Sequence, residues 1–235
     1  MTKTIFTTLT ATFFSLALFA QNVDQIVAKH IEAIGGKDNW LKVKSMRSEG
    51  TVKANGMDIK ITNTQIHNKA TRTDIALMGM NGYTLITTTE GWIFLPFQGQ
   101  TKPEPMTADD VKSGQQELNI HDDLMSYKEL GKKLEDLGLE DMDGTECYKL
   151  KLIDEANNSE TTYYLDPTSY LIIKETTKAT ANGQEMENST SYSNYQKTPE
   201  GVLIAMNVIG GFGDFEVTKI EINPTIDESI FTVKQ

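Results

Sequence analysis

Three Asn-Gly dipeptides, Asn55-Gly56, Asn81-Gly82 and Asn182-Gly183, each stand between runs in which apolar and polar residues alternate. Both residue types accept the positive φ angles of a two-residue type I′ hairpin, because a short or absent side chain avoids the clash that other residues meet there. Two-residue connections join only antiparallel neighbours, so this punctuation constrains the fold more than any other feature. Runs of period two, such as Thr51-Val52-Lys53, Asp58-Ile59-Lys60-Ile61-Thr62 and Tyr83-Thr84-Leu85-Ile86-Thr87, read as the strands between turns. Asp143-Gly144 is a further candidate turn, and breaks at Glu90-Gly91, Asp166-Pro167 and Glu200-Gly201 continue the rhythm. The spacing predicts roughly ten to twelve strands in an antiparallel meander.

Helical periodicity is confined to a few places. Val23, Val27, His30, Ile31 and Ile34 recur at helical spacing behind a candidate Asp24 cap, and Gly35-Gly36 supplies the stop. A second short helix is expected from Asp38 through Trp40, Leu41 and Val43. The strand rhythm lapses over residues 96–127, where Pro103 and Pro105 lead into Met106 and Thr107 with Asp110 three places on. That spacing resembles a helix-capping pattern, so a helix is expected to begin there and another turn to follow over residues 122–127.

An antiparallel sheet of about ten strands curls because strands twist, and it then closes, splits or is covered on one face. With two or three short helices available, the expected architecture is mainly β: one curled antiparallel sheet forming an incompletely closed β-barrel with a helical lid. An apolar cavity between sheet and lid follows from that shape.

The first twenty residues read as a secretory signal peptide, since Lys3 is their only charge, residues 5–20 are mostly apolar and small Ala20 precedes Gln21. This places residues 21–235 in one domain. The full chain of 235 residues has a formal charge of −11, 33 carboxylates against 22 Lys and Arg. Such a balance gives no general attraction to phosphate and argues against nucleic acid as a partner. Cys147 is the single cysteine, which excludes an intramolecular disulfide and a cysteine-based zinc cluster; its distance from Gln21 argues against an N-terminal lipid anchor. The expected product is exported, periplasmic and without a transmembrane segment once the signal is removed.

Several motifs in fixed order resemble a known family. Gly35-Gly36 ends the first helix; Gly91-Trp92-Ile93-Phe94-Leu95-Pro96-Phe97-Gln98-Gly99 follows a strand; Pro103-Glu104-Pro105-Met106-Thr107-Ala108-Asp109-Asp110-Val111 opens the helical insertion; and Ile226-Asp227-Glu228-Ser229-Ile230-Phe231 closes the chain. Together these are similar to the periplasmic carriers of the outer-membrane lipoprotein-sorting (LolA/LolB-like) superfamily, in the form found in Bacteroidetes. The resemblance implies an open barrel whose helical lid shields acyl chains of a lipoprotein or lipid, with donor and acceptor proteins in the envelope as partners. It also implies a latch role for Arg72, which stands where an early-strand arginine of the best-known carriers pairs with the lid. The proline that usually precedes that arginine is absent, and a surface ion pair of Arg72 with Asp74 is the competing reading.

A carrier needs an adaptable apolar pocket and no reactive group. Met78, Met80, Met106 and Met125 fall on or near the expected lid and the strands facing it, and thioethers adapt to ligands of variable shape. Trp92, Phe94, Phe97, Val111 and Leu124 complete the candidate cavity and lid residues; the competing reading is that all of these fill a core. Each buried acyl methylene contributes roughly 0.8 kcal/mol, so a long chain supplies on the order of 10 kcal/mol before ordering costs.

No catalytic or metal constellation emerges. His30, His67 and His121 are dispersed, and His121-Asp122-Asp123 lacks a nucleophile or a second histidine at ligand spacing, so it reads as a polar entry to the second lid helix. The segment from Asp141 begins like a calcium loop, yet its sixth and twelfth places hold Glu146 and Leu152 where Gly and Glu are required, and a hairpin explains it better. No cofactor is implied. Abundant carboxylates leave glycoside hydrolysis a distant third possibility. The leading expectation is a carrier; the alternative is a sensor or protein-interaction domain of the same half-barrel, using its sheet edge or cavity mouth.

Overall fold

The computed structural model describes residues 23–54, 56–142, 144–181, 184–211 and 213–233. The expected signal peptide and its cleavage point lie outside these, as do Asn55, Asp143, Asn182 and Gly183 of the expected turns.

Thirteen strands form one antiparallel sheet. In chain order they are β1 Ser45–Ala54, β2 Met57–Ile66, β3 Ala70–Leu77, β4 Met80–Thr87, β5 Gly91–Phe94, β6 Glu104–Pro105, β7 Lys133–Met142, β8 Thr145–Asp154, β9 Ser159–Leu165, β10 Ile172–Ala181, β11 Gln184–Lys197, β12 Leu203–Gly210 and β13 Gly213–Ile222. The count exceeds the ten to twelve expected; β6 is a two-residue strand too short to show periodicity. The order across the sheet is β6-β5-β4-β3-β2-β1-β13-β12-β11-β10-β9-β8-β7. Two local meanders therefore meet where β1 pairs with β13, and the free edges, β6 and β7, are consecutive in the chain. Among the described residues these edges do not pair, so the barrel stays open.

The helices are α1 Val23–Ala33, α2 Lys37–Trp40, α3 Ala108–Gln115 and α4 Asp123–Ser126. The expected cap at Thr107 is present, its hydroxyl accepting from the Asp110 N–H, and the structure adds one at Asp122, whose carboxylate accepts from the Leu124 N–H. Asp24 differs from its expected role, since it lies inside the first turn of α1, where its carboxylate accepts from the Tyr127 hydroxyl at 2.6 Å and pairs with Lys128 at 2.7 Å. It thus ties α1 to the end of α4.

Hairpin register corrects one expected turn. Ala54 lies opposite Met57 and Met142 opposite Thr145, so the turns at 55–56 and 143–144 have two residues. Leu77 lies opposite Met80, however, which puts the third such turn at Met78-Gly79, with φ of 54° and 78°, and leaves Asn81-Gly82 inside β4. Packing overrides the local preference of Asn-Gly here. A Cβ on Gly82 would lie 2.5 Å from the Phe94 carbonyl oxygen and 3.1 Å from the Phe97 ring, so this strand position has room for glycine alone.

One face of the sheet carries all four helices. Ile26 and Val27 of α1 and Leu124 of α4 pack on Leu150, Leu152, Tyr163, Leu165 and Ile172. Ile34, Trp40, Val43, Ile120, Met125 and Val202 form a second cluster beside it, against which Met46, Ile204 and Ile222 pack. A third cluster joins Ala70 and Leu85 to Phe231 of the C-terminal 3₁₀ turn. Because Leu85 and Ile86 point to opposite faces and α3 meets Ile86, the C-terminal turn covers the other, outer face of β3 and β4.

Candidate functional site

Where the sheet curls beneath α1, α2 and the segment 116–123, it leaves a cavity of about 520 Å³ over β8 to β12. Its size lies within the ~300–1,000 Å³ usual for small-molecule sites. One wall is apolar, from Ile34, Trp40, Ile172, Leu203, Ile204 and Val208. The other is polar, because the strands facing it place Asp154, Thr161, Tyr163, Glu175, Thr177, Tyr192 and Tyr195 on the helix-covered side, and the covering segment adds Asp122 and Asp123.

Most of these polar groups are satisfied locally. Lys132 donates to Asp123 at 2.6 Å and lies 3.4 Å from Asp154. Burial opposes the charge on Asp154, but hydrogen bonds from Asn157 and the attraction of Lys132 outweigh it and hold its pKa below the usual carboxylate value. The His30 ring, 1% exposed, bridges the Tyr170 carbonyl at 2.8 Å and Asp122 Oδ2 at 3.1 Å. Both partners are acceptors, so both ring nitrogens donate only when the imidazole is protonated. Burial lowers the pKa of His30, yet the hydrogen bond and charge of Asp122 prevail and raise it. Asp122 thereby caps α4 through one oxygen and holds α1 through the other.

Glu175 is different. Its one hydrogen bond comes from the neutral Tyr192 hydroxyl at 2.7 Å, and among the described residues no cation pairs with it. Burial, together with Asp122 and Asp123, raises its pKa in spite of that bond. Burial likewise pushes the hydroxyls of Tyr163, Tyr192 and Tyr195 upward. Tyr195 donates to the Ile172 carbonyl at 2.6 Å.

None of the residues expected from sequence to line a cavity lines this one. Met78 is 79% exposed at the β3–β4 hairpin tip, and Met80 begins β4 beside it. Trp92 lies opposite Leu85, and Phe94 opposite Tyr83, which puts both on the outer face near the C-terminal turn. Phe97 folds against Gly82, while Met106 and Val111 meet Gly91, where the covering chain rests directly on the sheet. Leu124 and Met125 are buried beneath the cover, each in one of the two clusters that flank the cavity. Arg72, whose side chain is 19% exposed, donates to Asp74 at 2.8 and 2.9 Å and to the Ile230 carbonyl at 2.9 Å, and stacks over Tyr83 at 4.0 Å. Those contacts fasten the C-terminal turn to the outer face.

Sequence reasoning missed Tyr163, Glu175, Tyr192 and Tyr195. A signal was present: Ser159-Thr161-Tyr163-Leu165 and Glu175-Thr177 alternate with residues of the other face and carry polar groups on the side expected to be buried. Among the described residues no cluster of His, Cys, Asp and Glu has the arrangement of a metal site, and no helix is long and apolar enough to cross a membrane. Cys147 is buried and unpaired.

No family model matches this sequence, and no curated protein does. Solved structures do match in shape. A DUF1329 family protein from Desulfovibrio piger superposes with a TM-score of 0.56 at 12% identity, covering 89% of this chain and 97% of its own. A LolA superfamily protein from Nitrosomonas europaea gives 0.54 at 13% identity, with 89% and 97% covered. A candidate outer membrane lipoprotein-sorting protein domain from Vibrio parahaemolyticus gives 0.52 at 12% identity, with 88% and 94% covered.

Proposed function

The fold is thus the LolA-like one, an open antiparallel half-barrel with helical cover, and we propose that the protein is a non-enzymatic carrier that receives acyl chains of a lipid or lipoprotein in its cavity, for transfer through the periplasm toward the outer membrane. The observation that supports this reading best is the cavity of about 520 Å³ held open between sheet and helices. Its apolar wall offers a chain the burial that drives binding, and its polar wall keeps the pocket from collapsing into a dry core. Leu124 and Met125 hold the cover in place on either side, while residues 1–20 direct export.

The sensor alternative would use a bare sheet edge. β7 is such an edge, with Leu137 and Leu139 exposed, but its pairing with β8 is interrupted at 136–139, where Gly138 has a φ of 83°. A bulge of this kind discourages strand addition.

Detergent-free purification from the native envelope, followed by native mass spectrometry and binding of a fluorescent fatty acid ester, tests the carrier. Bound acylated species and saturable uptake are expected. Repeated absence of both, with the protein folded, would reject it.

A further inference from the structure

Taking the carrier reading as its basis, the cavity's two walls say more about what the cargo carries. Five carboxylates line it, Glu117, Asp122, Asp123, Asp154 and Glu175, against Lys132 and two histidines, His30 and His121. Lys132 is consumed by Asp123 and Asp154, and His30 by Asp122. Glu175 is left with one neutral donor and no counter-charge among the described residues. Tyr163 lies opposite it on β9, 6% exposed, and its hydroxyl makes no hydrogen bond among the described residues although it borders the cavity. A cavity-facing hydroxyl with no protein partner, beside a carboxylate with no counter-charge, leaves both groups available to a third that enters between them.

We infer that Glu175 and Tyr163 form a head-group subsite for a cationic, amine-bearing amphiphile whose chain lies along the wall of Ile34, Trp40 and Ile204. An ammonium group supplies what both lack: charge for the Glu175 carboxylate and an N–H for the Tyr163 hydroxyl oxygen to accept. The aromatic rings of Tyr192 and Tyr195 on the same wall further favour a cation. An anionic head group would instead meet Asp122, Asp123 and Glu175, with Lys132 and His30 already paired to carboxylates. Selection by sign is therefore built into the polar wall, and the apolar wall contributes affinity without discrimination.

Displacement of a fluorescent fatty acid ester by dodecylamine, dodecanol and dodecanoate at neutral pH tests this, because the three share one chain. Dodecylamine should compete at least about tenfold more tightly than dodecanol, with dodecanoate weakest. Glu175→Gln keeps an acceptor for Tyr192 and should bring the amine to the level of dodecanol while leaving dodecanol unchanged. Tyr163→Phe, a second variant in case the first unfolds, should weaken the amine selectively. Equal competition by all three, or a preference for dodecanoate, would overturn the head-group subsite and leave the carrier standing. No binding of the ester or of any competitor would remove the carrier, and the subsite with it.

Discussion

On β3 to β5 the covering chain touches the sheet, whereas on β8 to β12 it is held away. A Cβ on Gly114 of α3 would lie 2.1 Å from Ile86, one on Gly91 would lie 2.9 Å from Met106 and 3.0 Å from Val111, and Gly82 meets Phe97 in the same way. Glycines at the crossing points let side chains from the facing layer settle directly on the backbone there. Over β8 to β12 the sheet carries Leu152, Tyr163 and Tyr192, which pack in one cluster with Ile26, Val27 and Leu124 of the cover, while Glu175 beside them faces the cavity. One sheet thus has a filled half and a hollow half, and the two differ in the size and polarity of the residues they turn toward the cover. The cavity lies where side chains of the sheet prop the cover.

Truncation of one fully buried leucine on each side, Leu124 and Leu85, should separate the halves most sharply. Leu124→Ala and Leu85→Ala should each cost about 2–5 kcal/mol in denaturant unfolding, since both side chains are 0% exposed. Only Leu124→Ala should also weaken binding of a fluorescent fatty acid ester; equal losses of affinity would break the distinction. Next, Gly82→Ala forces a methyl against the Phe94 carbonyl and should destabilise by about 1–3 kcal/mol without changing affinity. Arg72→Leu strands the Ile230 carbonyl and should cost about 1–2 kcal/mol, again with uptake and release of the probe unaltered. Slower release in the native protein than in this variant would restore the latch role that the family resemblance implies. Thr107→Ala removes the α3 cap and should cost about 1 kcal/mol.

Acidity should divide the molecule more gently. His30, at the hollow half, has a raised pKa: its stabilising contribution is complete below the ordinary value of about 6.5 and is lost as pH rises through the raised one. His67, stacked at 3.9 Å on His121 between the β2–β3 turn and the cover, has a lowered pKa through burial and the nearby His121 and Lys44. Its contribution is complete above about 6.5 and is lost as pH falls through the lowered value. Melting curves between pH 5 and 8 should therefore lose their alkaline decline in His30→Asn and part of their acid decline in His67→Gln.

The meander, the open barrel and the cap at Thr107 were legible in the sequence because each rests on local chemistry: turn residues, period two and a side-chain oxygen at the start of a helix. The hairpin at Met78-Gly79 was not, because Gly82 answers to Phe97, fifteen residues on and brought back by the fold. Nor was the side on which Trp92 and Phe94 lie. Alternation separates two faces without saying which is concave, and here both are covered, one by helices and one by the C-terminal turn. Glu175 and Tyr163 share the difficulty, since their importance comes from the bonds they fail to make in space.

The seam between β1 and β13 sets the order of assembly. Each half of the sheet is a succession of hairpins between neighbours in sequence, the kind of pairing that forms early during folding. Met46 finds Ile222 only after both meanders exist, at the largest loop-closure entropy of any strand pair in the sheet. Until the last strand has been synthesised, β1 lacks one neighbour and Gly50, which later lies against Phe215, faces none. Joining the two meanders into one sheet therefore waits on β13, and slowing at that seam would leave two half-sheets with bare edges.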